Sequence, residues 1–176
     1  WIAFETNGAP KVDLATGKLN GYAWSANCGW ISLSNASAYV KTTSIASGAD
    51  TDSDHLPDAW EMQNWGSLRP LPDVDSDGDG ASNYDEYLAG TNPRSEADCL
   101  RITAITRDSA PGTYTSLTWP GKLTRFYAAQ RRNGVDSADS WVEFYTGTYP
   151  GQNWLGFDVT TNQQYFRIRA FRPLMP

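Results

Sequence analysis

The chain has 176 residues and a formal net charge of −6, with 40% hydrophobic and 13% aromatic side chains. That is enough apolar material to bury a core, which excludes global disorder, and no basic stripe is present to serve a nucleic-acid partner. No apolar run reaches the roughly 18 residues that a membrane-spanning helix needs.

No signal peptide is legible, but the sequence starts at Trp1 and reads as a processed or excised piece, so this says nothing about export. Residues 1–40 carry an internal echo: "WIAF" at Trp1–Phe4 returns as "WISL" at Trp30–Leu33. Between the copies, Gly17, Gly21 and Gly29 punctuate short aromatic runs, the pattern of β-strands joined by turns. The spacing reads as one β-repeat preceded by the tail of another, so that the first residue falls inside a repeat. Residues 41–49, "KTTSIASGA", form a small polar linker.

Two stretches then dominate the charge pattern. "DTDSDHLPDAWE" runs from Asp50 to Glu61 and "DSDGDGASNYDE" from Asp75 to Glu86. A calcium loop of twelve residues supplies oxygen ligands from positions 1, 3, 5, 7 (a backbone carbonyl), 9 and 12, with a sharp turn at position 6. In the second stretch these are Asp75, Asp77, Asp79, Ala81, Asn83 and Glu86, with Gly80 at the turn. In the first they are Asp50, Asp52, Asp54, Leu56, Asp58 and Glu61, and His55 stands at the turn. Nine of the 20 acidic residues occupy these positions, and three close carboxylates repel one another unless a cation joins them. Two Ca2+ sites are therefore expected; Mg2+ suits them less, since it keeps its waters and demands a tighter octahedron. The first site is expected to be weaker, because His tolerates a positive φ less well than Gly. His55, the only histidine, is otherwise read as a loop apex without a role.

A short helix is expected after each loop. "DAWEMQNWG" stops at Gly66 and "NYDEYLAG" at Gly90, the latter followed by Thr91-Asn92-Pro93. "LRPLP" at 68–72 links the units in extended form, and Trp60 and Trp65 are expected to pin the first helix to the second. From residue 99 on, six segments ("CLRITAIT", "TYTSLTWPG", "RFYAAQRR", "SWVEFYTG", "WLGFDVT", "QYFRIRAF") read as strands of a small β-sandwich. In the last, Phe166, Ile168 and Ala170 face one way and Arg167 and Arg169 the other. Trp24, Trp30, Trp119, Trp141 and Trp154 sit in strand-like runs, where core packing is the ordinary use and sugar stacking the functional one.

Cys28 and Cys99 form no CxxC and no zinc site. They read as two buried free thiols or as one disulfide of an oxidising compartment; the bridge is the preferred reading. The fold class is thus mainly β, in three parts: a β-repeat at 1–40, a linker with tandem EF-hand-like loop–helix units at 41–98, and a β-sandwich at 99–176.

The two loops, "DTDSDHLPDAWE" and "DVDSDGDGASNYDEYLAGTNP", resemble the calcium repeats of secreted bacterial proteins of the thrombospondin type 3 and dockerin kind. "VDLATGKLNGYAWSANCGWISL" looks like a repeat found upstream of such loops in large surface proteins. "LTWPG", "RFYAAQRR" and "QYFRIRA" are similar to a closing sandwich of fibronectin type III character, which would put Pro176 near a natural C-terminus. The resemblance implies a secreted or cell-surface protein, a structural ion and no enzymatic activity. Cohesin binding is not implied, because the two units differ and a sandwich follows them. No nucleophile elbow, P-loop, dinucleotide fingerprint or zinc-protease helix is present. Three functions fit: a calcium-stabilised structural or adhesive module, a subunit of a self-associating surface filament, and a glycan-binding or docking appendage of a secreted hydrolase.

Overall fold

The computed structural model describes residues 2–3, 8–107, 114–134, 140–159, 164–172 and 174. Trp1 and Phe4 of the first echo, parts of the strand segments near 108–113 and 160–163, and Pro176 lie outside these residues. The fold is mainly β, with four small sheets and two short helices among the described residues. The chain divides into two compact units, 1–46 with 173–176, and 47–172.

In the first unit β1 (Ile2–Ala3), β4 (Tyr22–Ser25) and β5 (Gly29–Ser32) form one antiparallel sheet. β2 (Lys11–Val12) and β3 (Leu19–Asn20) form a separate pair. The strands of the sheet match the aromatic runs read from the sequence. Trp24 lies opposite Trp30, and Ala23 and Leu33 are buried. Core packing does not hold for every tryptophan: Trp30, on the edge strand β5, is 49% exposed, although Gly8 lies against its ring.

The second unit starts with the two loop–helix units, α1 (Asp58–Trp65) and α2 (Asn83–Ala89). Both helices end where the glycines predict: Gly66 (φ 69°) and Gly90 (φ 72°) take the left-handed conformation and donate their N–H groups to Met62 and Glu86. Trp60 packs edge-on against Tyr87 of α2 at 5.5 Å, while Trp65 packs on Trp60 at 5.2 Å. The "LRPLP" segment is pinned rather than loose. Tyr84 donates its N–H to Pro72, and the Asn83 side chain donates Nδ2 to Leu71 at 2.8 Å.

β6 (Ala104–Arg107), β7 (Tyr114–Thr118) and β10 (Trp154–Asp158) form one sheet in the order β10-β7-β6. β8 (Phe126–Arg132), β9 (Val142–Thr146) and β11 (Tyr165–Phe171) form another, ordered β11-β8-β9. The two share one core of Leu117 and Leu155 from the first sheet and Tyr127, Ala129 and Ala170 from the second, closed by Trp119. Phe144, Phe157 and Phe166 meet across the sheets at 4.8–6.2 Å, which is a sandwich-like arrangement. The alternation read in "FRIRA" holds: Arg167 and Arg169 are exposed, and Ala170 is buried opposite Tyr127. Ala89 of α2 joins this core, so the loop–helix segment and the strands pack on common ground. Trp119 is buried as expected, Trp141 half-buried, and Trp154 on the edge strand β10 is 48% exposed.

Cys28 and Cys99, expected to form a bridge, are each a free thiol in their own unit. Cys28 is exposed in the turn between β4 and β5, where its Sγ donates to Ser25 Oγ, so it is not a buried thiol either. Cys99 is buried beside the second acidic loop, and burial first, then the neighbouring Asp79 carboxylate, pushes its pKa up to about 11. A thiol held protonated in this way is inert.

Candidate metal centre

Each loop winds around its first aspartate. In the second, Asp75 accepts from Gly78 N–H at 2.7 Å and Gly80 N–H at 2.9 Å. Asp77 accepts from Asp79 N–H, and Asp79 from Ala81 N–H. These bonds hold one oxygen of Asp77 and of Asp79 and leave the other oxygen of each buried without a partner. The carboxylates of Asp75, Asp77 and Asp79 come within 4.8 Å of one another.

α2 carries the remaining candidate ligands. Ser82 caps it, accepting from Asp85 N–H, which sets Asn83 and Glu86 on the first turn. Both are fully buried. Asn83 spends its amide N–H on Leu71, leaving Oδ1 without a donor; Glu86 accepts from Thr91 through Oε1, leaving Oε2 the same.

The first loop repeats the plan with differences. Asp50 accepts from Asp54 and His55 N–H groups, and Asp54 from Leu56 N–H. The carboxylates form two overlapping groups, Asp52 with Asp54 and Glu61, and Asp50 with Asp52 and Asp58. Glu61 is fully buried and neither of its oxygens has a partner. Asp58 already accepts two bonds from Thr51, which hold its pKa below the ordinary carboxylate value. Leu56 and Ala81, expected to contribute carbonyls, are tied into the loops by their own N–H groups.

Six of the nine buried polar side-chain atoms without a partner among the described residues are oxygens of these loops. All six are acceptors. A buried acceptor without a donor costs free energy, and a cation satisfies several together. The donor set is all oxygen, suited to a hard divalent ion rather than zinc or copper. The residues present therefore fit calcium, and the side chains named above would hold it. The same crowding acts on protons: burial first, then the surrounding aspartates, raises Glu61 and Glu86 from the ordinary 4.5 to about 7.

Position 4 of each loop, which the sequence reading passed over, also takes a positive φ. Gly78 (84°) and Gly80 (96°) have open space where a side chain would sit, so only the backbone conformation selects glycine there. In the first loop Ser53 (61°) and His55 (78°) adopt the same conformation with side chains. A non-glycine residue there costs about 1–2 kcal/mol, offset in part by the greater chain entropy glycine loses. The double variant Ser53→Gly/His55→Gly is expected to tighten calcium at the first loop about tenfold, as a net gain of 1–2 kcal/mol implies. Calorimetric titration against the wild type checks it.

Residues 75–93, which comprise the second loop, α2 and Thr91–Pro93, match the family model of the bacterial TSP3 repeat. The match covers well under half of the chain and does not include the first loop. It types the segment as a repeat of the calcium-binding kind, in agreement with the oxygen cluster. No curated protein and no solved structure matches the chain. No described helix is long and apolar enough to cross a membrane.

Proposed function

We propose that this chain is a non-enzymatic, extracellular structural module whose loop–helix segment is ordered by two calcium ions. The observation that carries the reading is the set of six buried, unpartnered oxygens divided between the two loops. A site built for catalysis would keep an open position beside the ion. Here the carboxylates converge on backbone N–H groups of their own loops, and the helices that carry the last ligands are packed against one another through Trp60 and Tyr87. The type of the matching repeat supports the extracellular setting.

Without the ions the segment concentrates like charge on short loops with little core of their own. With them, stability rises by mass action, about 1.4 kcal/mol per site when calcium exceeds its dissociation constant tenfold. Native mass spectrometry after chelation and calcium return is expected to count two ions, with a higher unfolding midpoint. A single ion would confine the reading to one loop. Absence of both ion and shift would remove it.

A further inference from the structure

We infer that Arg125 is a positioning residue of the second calcium loop, clamping the far end of the helix that carries Asn83 and Glu86 and so coupling ion affinity to the β-strands. The inference rests on calcium being held by residues 75–86.

α2 has only seven residues, too few to be stable alone. Its last carbonyls lack partners within the helix. Arg125, at the entry to β8, supplies them: Nε donates to Leu88 O at 2.5 Å and Nη2 to Tyr87 O at 2.6 Å. Nη1 is held by Thr124, so every guanidinium nitrogen is engaged. A cation at this end also complements the helix dipole.

Gly90 is shaped to this contact. A Cβ there would lie 3.1 Å from the guanidinium carbon and 3.3 Å from Nε and Nη2. The same turn returns to the ion ligand, since Thr91 Oγ1 donates to Glu86 Oε1 at 3.1 Å and Thr91 N–H to Glu86 O. A continuous path of bonds therefore runs from Arg125 through the end of α2 to the carboxylate of Glu86. A second arginine, Arg172 just past the end of β11, donates to the Tyr87 hydroxyl and lies over its ring at 5.1 Å. Ala89 sits in the core beside Tyr127 and Ala170. Rotating or withdrawing α2 would break these contacts together, and by reciprocity whatever stabilises the ligand end stabilises the clamped end.

The test titrates the intact chain with calcium and follows two backbone amides by NMR. Gly80 N–H donates to Asp75 and His55 N–H to Asp50, so each reports its own loop. Arg125→Gln is expected to weaken calcium at the Gly80 reporter about tenfold, the effect of losing a supporting contact behind a metal ligand. The His55 titration should stay unchanged, and Arg125→Lys should fall between wild type and Gln. Should R125Q fail to fold, R125K and Thr91→Val, which cuts the bond to Glu86, carry the comparison. No change at Gly80, or an equal loss at both reporters, overturns the inference. A wild-type Gly80 amide that does not respond to calcium overturns instead the calcium reading on which it rests.

Discussion

Replacing Glu86 by Gln is expected to raise the unfolding midpoint in chelator and to lower it in calcium. The opposite signs follow from one fact: Glu86 is buried, with burial and the charges of Asp77, Asp79 and Asp75 opposing its ionisation, against the bond from Thr91. Its pKa in the ion-free fold, about 7, lies above the unfolded value near 4.5. A raised carboxylate contributes stability that is present below the unfolded pKa and lost as pH rises through the folded one. The ion-free protein should thus melt lower at pH 8 than at pH 5, and Glu61, raised to about 7 as well, adds to the trend. Glutamine keeps the shape, accepts from Thr91 and carries no charge, so E86Q gains about 3–5 °C in chelator at pH 8 and little at pH 5. In calcium the balance reverses, because the ion neutralises the cluster and needs the ionised carboxylate. Losing that carboxylate is expected to weaken the proposed site by about 100-fold. At calcium 100 times the wild-type dissociation constant, the contribution of the site then falls from about 2.7 to about 0.4 kcal/mol. Scanning calorimetry of both proteins at the two pH values, with and without calcium, checks all four signs. An E86Q variant less stable than wild type in chelator at pH 8 would show that the ion-free loop relaxes and rehydrates the carboxylate.

The loops were legible because ligand chemistry imposes a spacing that survives in one dimension. Asp75, Asp77 and Asp79 must alternate to converge, and Glu86 must sit one helical turn beyond Ser82. Helix ends were legible for the same reason, since Gly66 and Gly90 answer a local demand of the backbone. What stayed hidden depends on distance along the chain. Arg125 bonds to Leu88 across 37 positions, and no local pattern distinguishes it from any other strand-entry arginine. Exposure was hidden too: Trp30 and Trp119 both sit in short aromatic runs, yet Trp30, on an edge strand, is half-exposed, while Trp119 is buried in the core that the two sheets share. Position 4 of the loops was missed at Ser53 because serine gives no sign of a positive φ, whereas Gly78 at the same place does.

The largest loss of stability is expected at Tyr127, and it tests whether calcium and the strands act as one cooperative unit. Tyr127 is 1% exposed, packs 5.7 Å from Trp119 and accepts a 2.7 Å bond from Lys122 N–H. Truncation to alanine removes a large buried ring and orphans that donor, a cost of about 3–5 kcal/mol, whereas Tyr127→Phe removes only the bond and costs about 1 kcal/mol. Against a total stability of about 5–15 kcal/mol, Y127A brings the ion-free fold near its limit. Calcium should then restore much of the loss, about 2.7 kcal/mol per site at 100 times its dissociation constant. The restoration reaches Tyr127 only if the helix that carries Glu86 unfolds with the strands. Ala89 shares the core with Tyr127, and the bonds from Arg125 hold the helix end to the same strand, so coupled unfolding is the expected outcome. Near-ultraviolet and far-ultraviolet circular dichroism of Y127A should therefore give coincident transitions in calcium, both shifted upward from those in chelator. Two separated transitions, with the strands melting at a calcium-independent temperature, would mean that the ions order their own loops and nothing beyond them.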